Sequence, residues 1–322
     1  PFATGALPLF LGHATRLAEY HLGAPKAYRA TICFGAASTT DDLEGELSPV
    51  GEVPGRAAVE AAFPSLRGEI EQRPPAFSAI QVGGRRAYAA ARAGETPVLA
   101  ARRVTIHRLE MLEWDGTDPA RPLAVVEVEC SAGTYIRALA RDLGGAVGSA
   151  AYLGSLVRTR SGPFSIDDAV TLDELRAAAA EAGPSGVARF LRPLDSGLES
   201  LPAVELDAAQ VRAVVEGQFV RVAPSAGERV ARADAPPEGL VLRLLAEDGK
   251  LVGIGRRTDG RVAPTKIVLD RGEPDRDAGL TRPAEPPAAT AAPGSAEPVE
   301  ASLASELDAP ESIDPDPATP DA

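Results

Sequence analysis

The sequence predicts a protein of the α+β class, in which short helices are mixed with hairpin-like strands. Apolar residues recur at every second position in some segments and at helical spacing in others. The two patterns do not alternate regularly, which argues against a parallel sheet built from βαβ units. The last 52 residues follow neither pattern and are rich in proline, alanine and acidic residues.

The first hundred residues contain several short predicted elements separated by glycine, proline and polar loops. The proline at position 54 marks the start of one predicted helix, and the glycine at position 94 marks the end of another. In chain order we predict a helix over 14–22, a strand over 28–34, a helix over 54–63, a strand over 76–83 and a helix over 85–93.

The next hundred residues carry clearer patterns. Residues 102–113 are strand-like, and 123–130 alternate with Val126, Val128 and Cys130 on one face, as in a half-buried strand. A Ser-Ala-Gly turn then precedes a helix predicted over 135–147, in which Leu139, Leu143 and Val147 recur at every fourth position. Thr171, with a glutamate three positions later, has the pattern of a capping box at the start of another helix.

A second unit is predicted after residue 193. Asp207 is placed to cap a helix that Gly217 ends, and several short strands follow, with Glu-Asp-Gly-Lys as a turn between two of them. One helix and these strands predict a small β-barrel-like module over 194–270. Residues 271–322 cannot bury enough apolar surface to offset their ordering entropy, so we predict a disordered tail.

Charge is distributed unevenly along the chain. Residues 271–322 hold 12 acidic residues and 3 arginines, a net charge of −9, so the total of −13 leaves −4 for residues 1–270. A nearly balanced body can still carry a basic face for phosphate groups. Composition therefore neither supports nor excludes an RNA partner.

Cysteine and histidine are too few and too scattered for a metal site. Two cysteines and three histidines lack metal-ligand spacing, and we find no phosphate-binding loop or dinucleotide fingerprint. We therefore expect no metal and no cofactor. No apolar stretch is long enough to span a membrane, and we expect a protein of the reducing cytoplasm.

Four segments, in order, carry the functional signal. The first is PFATGALP from Pro1, and the second is KAYRA from Lys26. The third is PPAFSA from Pro74, with GRRAY after it. The fourth is CSAGTYIR from Cys130, followed by LVRTRSG. Together they resemble the TruB family of tRNA pseudouridine synthases over residues 1 to about 170. The region after 194 is more loosely similar to the small PUA-like RNA-binding domain of that family.

The resemblance implies a fold, a domain division and a reaction. The fold is the pseudouridine-synthase fold, a mixed or antiparallel sheet with flanking helices, over residues 1–193. Residues from about 65 to 105 would be an insertion that grips RNA, and 194–270 the PUA-like domain. The reaction is isomerisation of a uridine to pseudouridine at position 55, in the T-loop of tRNA, after the base has left the stack.

The resemblance also implies site residues. Tyr28 matches the tyrosine that packs on the target base and helps to remove the C5 proton. Arg137 matches the arginine that keeps the nucleophilic carboxylate ionised and aimed. Tyr135 and Leu156 match further positions around the uracil.

Each of these residues also has a purely structural interpretation. Tyr28 alternates with Ala30 and Ile32 and could belong to a core strand. Arg137 and Arg141 are four positions apart and could form a solvated helix face. Leu156 suits a core position, and Tyr135 could pack beside the turn that precedes it.

The nucleophile is expected outside these 322 residues. In the family, an aspartate directly precedes the proline that is here Pro1, and a histidine and the first strand lie further upstream. Two explanations remain open: the protein begins earlier, which we favour, or the chain is a damaged fragment. We predict that the 322-residue chain does not form pseudouridine by itself.

Two other functions remain open at this stage. The chain could bind or fold tRNA without catalysis, or it could be an assembly module of a guide-RNA pseudouridylation complex. The acidic tail argues against the second of these, because a basic tail would be expected there. For the synthase we expect a monomer that binds the T-stem-loop of tRNA.

Overall fold

The computed structural model describes residues 2–78, 80–82, 85–86, 88, 99–221 and 239–269. Its main feature is a mixed sheet with the order β1-β10-β2-β9-β8-β5, extended by β11 beside β10. Only β1 and β10 pair in parallel; the other neighbours are antiparallel. In the order of the sheet, the strands are β1 (Thr4–Gly5), β10 (Ala151–Ser161), β2 (Lys26–Phe34), β9 (Leu123–Cys130), β8 (Arg102–Asp115) and β5 (Gly68–Gln72); β11 is Phe164–Ser165.

Strand β9 shows why the sheet forms as it does. Its side chains alternate between buried and partly exposed positions along all eight residues. Ala124, Val126, Val128 and Cys130 enter the core, as the alternation in the sequence predicts. β9 lies between β2 and β8 and is paired along its whole length.

One helix covers the buried face of this sheet. Helix α3, Ile136–Ala146, buries Leu139 and Leu143 fully against β2, β9 and β10. Gly144 permits the close approach, because a Cβ atom there would overlap the main chain of Ala151. Leucines at helical spacing had predicted this helix, and the structure confirms it.

The remaining short elements surround this core. The helices are α1 (Glu19–Leu22) and α2 (Arg56–Ala62), with 3₁₀ turns at Gly12–Leu17, Phe63–Leu66 and Ile166–Asp168. The hairpins are β3 (Ala36–Ser38) with β4 (Leu47–Pro49) and β6 (Gln81–Val82) with β7 (Arg85–Arg86). The predicted helix over 14–22 is therefore a 3₁₀ turn followed by one helical turn.

Two helices begin at the capping residues that the sequence predicts. Helix α4, Leu172–Ala188, begins at Thr171, whose side chain forms a capping box with Glu174. Non-helical angles at Ala182 and Gly183 divide it. Helix α5, Ala208–Val215, begins at Asp207, which forms a second capping box with Gln210.

The C-terminal region contains a second sheet with the order β12-β13-β14-β15. These strands are Ala203–Leu206, Val241–Ala246, Leu251–Thr258 and Arg261–Ile267. The turn predicted at Glu247–Lys250 joins β13 to β14. One helix and several short strands form this module, as predicted. Over the described residues its sheet is open: β12 and β15 do not pair with each other, and Val220 forms an isolated antiparallel bridge with Val262 of β15.

Packing joins the N-terminal part of the chain to this second sheet. Leu17 is fully buried in a cluster with Leu198, Leu251, Ile254 and Val268. Arg16 donates to the carbonyl oxygen of Ile267, and Lys266 forms an ion pair with Glu19. The helical segment after the first motif is therefore fixed to strand β15.

Four predictions fail or lie partly or wholly outside the described residues. Arg85–Arg86 form a strand, so the helix predicted over 85–93 is wrong at its start, and most of its remainder is not described. Among the described residues of the strand predicted over 76–83, Gln81–Val82 are in a strand and the others are not. The predicted tail over 271–322 lies outside the described residues, as does about a third of the predicted insertion over 65–105. Among the described helices, none combines the length and apolar character needed to cross a membrane.

Candidate active site

Tyr28 and Leu156 lie on the same face of the central sheet. In the antiparallel pairing of β2 with β10, Tyr28 is opposite Arg158 and Leu156 is opposite Ala30. Directly opposite residues share a face, and both side chains pack partly exposed against the main core. Tyr28 is thus neither fully buried nor solvated, and one side of its ring is supported by the core.

The electrostatic surroundings of Tyr28 keep its hydroxyl protonated. Burial raises the pKa of Tyr28 above its ordinary value, and the nearby Cys130 raises it further. The positive charge of Arg158 acts in the opposite direction. The result is a neutral phenol near a cation.

The N-terminal segment lies beside this pair. Thr4–Gly5 pairs in parallel with Val157–Arg158, and Ala6 N–H donates to the Arg158 carbonyl oxygen at 2.8 Å. Gly5 has a φ of +100°, and a Cβ atom there would overlap the Arg158 carbonyl. Phe2 packs against the same core as Tyr28. The first motif therefore reaches the sheet face that carries Tyr28 and Leu156.

Arg137 is held in the first turn of α3 by three acceptors. Its Nη1 atom donates to Asp42 Oδ2 at 2.9 Å and to the Thr40 carbonyl at 3.1 Å. Its Nη2 atom donates to the Phe77 carbonyl at 2.8 Å. The Arg137 side chain is 23% exposed and that of Asp42 only 4%. The interpretation of Arg137 as part of a solvated helix face is therefore wrong.

The Asp42 carboxylate is fully engaged. Besides Arg137, it accepts from the Thr40 hydroxyl at 2.5 Å and from the Glu44 main-chain N–H at 3.1 Å. A buried carboxylate needs such partners, because burial without them is costly. Asp42 was missed at the sequence level because two aspartates in a polar loop look like an ordinary turn.

Arg141, one turn further along α3, holds the adjacent aspartate. Arg141 forms ion pairs with Asp41 at 2.7 Å and with Asp142 at 2.9 Å. Burial raises the pKa of Asp41, and Arg141 opposes that change. Asp41 adopts a φ of 61°, which aspartate tolerates better than most residues. Two arginines of one helix thus fix the loop that contains both aspartates.

Tyr135 is positioned by a buried glutamine and an arginine. Gln72, fully buried, accepts from the Tyr135 N–H at 2.8 Å and donates to the Tyr135 carbonyl at 3.1 Å. The Arg102 guanidinium lies 4.7 Å from the centre of the Tyr135 ring and donates to the Gly133 carbonyl. Neither Gln72 nor Arg102 has a local sequence signal that predicts this role.

The four predicted residues lie on two parts of the same core. Tyr28 and Leu156 are on neighbouring strands and pack against the main core cluster, which also buries Ile136. Tyr135 and Arg137 flank Ile136 at the start of α3.

Metal ligands do not cluster in the described part of the chain. No group of three or more histidine, cysteine, aspartate or glutamate side chains is placed there to hold an ion. Burial raises the pKa of Cys33 and of Cys130 to about 11, so both thiols are protonated near neutral pH.

Family models match most of the chain. Residues 1–136 match the model of the TruB family pseudouridylate synthase N-terminal domain. Residues 137–199 match a tRNA pseudouridylate synthase B C-terminal domain, and 202–268 match the pseudouridine synthase II TruB C-terminal model.

Curated relatives cover most of the chain. The tRNA pseudouridine synthase B of Pseudomonas putida strain F1 is 43% identical over 270 residues, which is 83% of this chain and 83% of the relative. The proteins of the same name from Pseudomonas fluorescens Pf-5 and Pseudomonas aeruginosa UCBPP-PA14 are 44% and 42% identical over the same length.

Solved structures show the same fold at lower identity. A chain of a Cbf5-Nop10-Gar1 complex is 25% identical, with a TM-score of 0.58, over 84% of this chain and 74% of that one. A chain of an H/ACA RNP bound to a substrate RNA containing 2′-deoxyuridine is 23% identical, with a TM-score of 0.56, over 81% of this chain and 71% of that one. With three family models covering residues 1–136, 137–199 and 202–268, this chain belongs to the TruB family of pseudouridine synthases.

Proposed function

We propose that the protein isomerises a uridine in the T-loop of tRNA to pseudouridine, without a metal or cofactor. The observation that carries this proposal is the arrangement of Tyr28 and Leu156 on one sheet face, with the first motif paired beside them on β10. The relatives named tRNA pseudouridine synthase B support the substrate class.

The reaction exchanges one bond of the base for another. A carboxylate assists the cleavage between C1′ and N1, the base turns, and C5 forms the new bond to C1′. The C5 proton is then lost and N1 gains a proton, so atoms balance. Moving the base out of the stack costs a few kcal/mol, which aromatic stacking of about 1–3 kcal/mol partly offsets.

The described side chains suit distinct roles in this reaction. Tyr28 supports the base and takes part in removal of the C5 proton. Tyr135 and Leu156 complete the walls of the pocket. Arg137 keeps the nucleophilic carboxylate ionised, and Asp42 fixes the direction of the Arg137 guanidinium through their ion pair.

We further propose that the nucleophile is an aspartate directly before Pro1. Asp41 and Asp42 are already held by Arg141 and Arg137, so neither is free to attack the sugar. Residues 1–193 would then form the catalytic domain, in which 65–105 grip RNA, and 194–270 would form an RNA-binding domain. We expect the enzyme to act as a cytoplasmic monomer on the T-stem-loop.

The test compares three chains on an unmodified T-stem-loop RNA, with pseudouridine mapped by sequencing. The chains are the 322-residue protein, a version with Gly-Thr-Leu-Asp before Pro1, and a matched version with Gly-Thr-Leu-Asn there. We expect product only from the aspartate version and RNA binding by all three. Equal product from all three would contradict the assigned nucleophile, and binding without product in every case would favour a non-catalytic tRNA-binding protein.

A further inference from the structure

Arg158 contacts two separate parts of the candidate site. Its carbonyl oxygen accepts from Ala6 N–H at 2.8 Å, and its Nε atom donates to the Ala6 carbonyl at 2.6 Å. Main chain and side chain of one residue thus hold the same short segment, which belongs to the first motif. Gly5 lies so close to the Arg158 carbonyl that no side chain fits between them.

The same guanidinium also reaches Tyr28. Arg158 and Tyr28 are directly opposite each other on neighbouring strands, so their side chains lie on the same face of the sheet. The positive charge of Arg158 is close enough to lower the pKa of Tyr28 against the effect of burial.

A β-bulge gives Arg158 this position and keeps the next arginine away. The pairing of β10 with β2 shifts between Arg158 and Arg160, which leaves Thr159 as the extra residue. Without the shift, Arg158 and Arg160 would share a face, because strand side chains alternate. Instead Arg160 is paired with Ala27 in the register and forms a 2.5 Å ion pair with Glu129.

We propose that Arg158 is a positioning residue, which fixes the Tyr28 hydroxyl relative to the main chain at Gly5–Ala6. This inference rests on the proposed function, because Gly5–Ala6 follows the expected nucleophile and Tyr28 faces the base. The Nε donor fixes the planar guanidinium on the Ala6 carbonyl, on the sheet face that also carries Tyr28, so the guanidinium limits where the phenol can lie. Arg158 therefore sets the distance between the two catalytic groups without contacting the substrate.

A purely structural role for Arg158 predicts different behaviour. If Arg158 only fastened β1 to β10, its loss would lower stability and leave Tyr28 unaffected. The matched control is Arg160, which lies on the same strand, forms an ion pair with Glu129 and faces the other side of the sheet. Arg158→Met removes a guanidinium group from one face of the sheet, and Arg160→Met removes one from the opposite face.

The first experiment measures coupling between Arg158 and Tyr28 in the aspartate-extended chain. We expect Arg158→Met to lower the single-turnover rate at least about tenfold, and Arg160→Met to change it less than about twofold. In a Tyr28→Phe background, Arg158→Met should lower the rate by less than about threefold further, because interacting residues are not additive. Full additivity of the two substitutions would overturn the proposal.

The second experiment does not depend on activity. Tyrosine labelled with ¹³C at Cζ reports the titration of Tyr28 by NMR, with Tyr28→Phe to assign its signal. Arg158→Met should raise the pKa of Tyr28, since a neighbouring cation that lowers it is lost. Arg160→Met should leave it unchanged. A Tyr28 titration that does not respond to Arg158→Met would overturn the proposal.

Arg158→Lys tests whether the positive charge of Arg158 is sufficient or whether the shape of its guanidinium is also needed. This conservative variant is also useful if Arg158→Met does not fold. Lysine keeps the positive charge but lacks the planar fork. We expect a Tyr28 pKa near that of the wild type and a rate that still falls at least about fivefold. A wild-type rate in Arg158→Lys would contradict the positioning role. An aspartate-extended protein without any activity would contradict the proposed function, while the titration would still decide whether Arg158 positions the phenol.

Discussion

The Arg137 guanidinium donates to the Asp42 carboxylate at 2.9 Å, although the two residues are 95 positions apart in the sequence. The loop after β3 supplies the carboxylate, and the first turn of α3 supplies the guanidinium. Asp42 is almost completely buried. The direction of the Arg137 side chain therefore depends on a loop residue that is distant in the sequence.

Arg137→Lys should reduce the rate more than it reduces RNA binding. Lysine keeps the charge but cannot present two nitrogen donors to Asp42, the Thr40 carbonyl and the Phe77 carbonyl together. In the aspartate-extended chain we expect a single-turnover rate at least about tenfold lower, equal to about 1.4 kcal/mol of barrier. Wild-type rate and binding would show that Arg137 does not hold the nucleophile, and a joint loss of both would indicate an RNA-positioning role.

Asp42→Asn should lower both stability and rate while tRNA binding holds. The amide leaves the buried Arg137 charge without a counterion, and removing one partner of a buried pair is more costly than losing a surface pair. We expect the free energy of unfolding to fall by about 1–3 kcal/mol. Glu60→Gln is the control, because Glu60 pairs with Arg56 at the surface, where about 0–1 kcal/mol is expected. Equal effects in urea denaturation would show that the Asp42 pair behaves as a surface pair.

His21 should make stability depend on pH in the weakly acidic range. His21 lies between Phe10 and Phe164, and burial lowers its pKa below 6.5, with Glu199 opposing the shift. The unfolded chain then binds a proton at higher pH than the folded chain, so stability is complete above about pH 6.5 and falls as pH decreases. His21→Gln should reduce the loss of stability between about pH 7.5 and about pH 5.5. An identical pH dependence in both proteins would exclude His21 as its source.

Deletion of residues 271–322 should leave tRNA affinity unchanged or slightly higher. That segment carries a net charge of −9 and can only repel the phosphate backbone or be neutral to it. The gain should be largest at low salt, where repulsion is least screened. Filter binding of tRNA at two salt concentrations measures it. A clear loss of affinity on deletion would give the tail a positive role in binding.

The sequence alone determined the structural features that depend on residues close together in the chain. Alternation over Leu123–Cys130, the leucines of α3 and the capping residues Thr171 and Asp207 predicted their elements, because each pattern reports a local period or a local hydrogen bond. The four motifs, in order, also sufficed to indicate the family, which the comparisons confirm.

Only the tertiary structure decided which distant residues meet. Gln72 holds Tyr135 across 63 positions, Asp42 holds Arg137 across 95, and Arg158 holds Ala6 across 152. The bulge at Thr159, which sends Arg158 and Arg160 to opposite faces, was not predicted either. Such contacts depend on the path of the chain between the partners, and a local period in the sequence carries no information about that path.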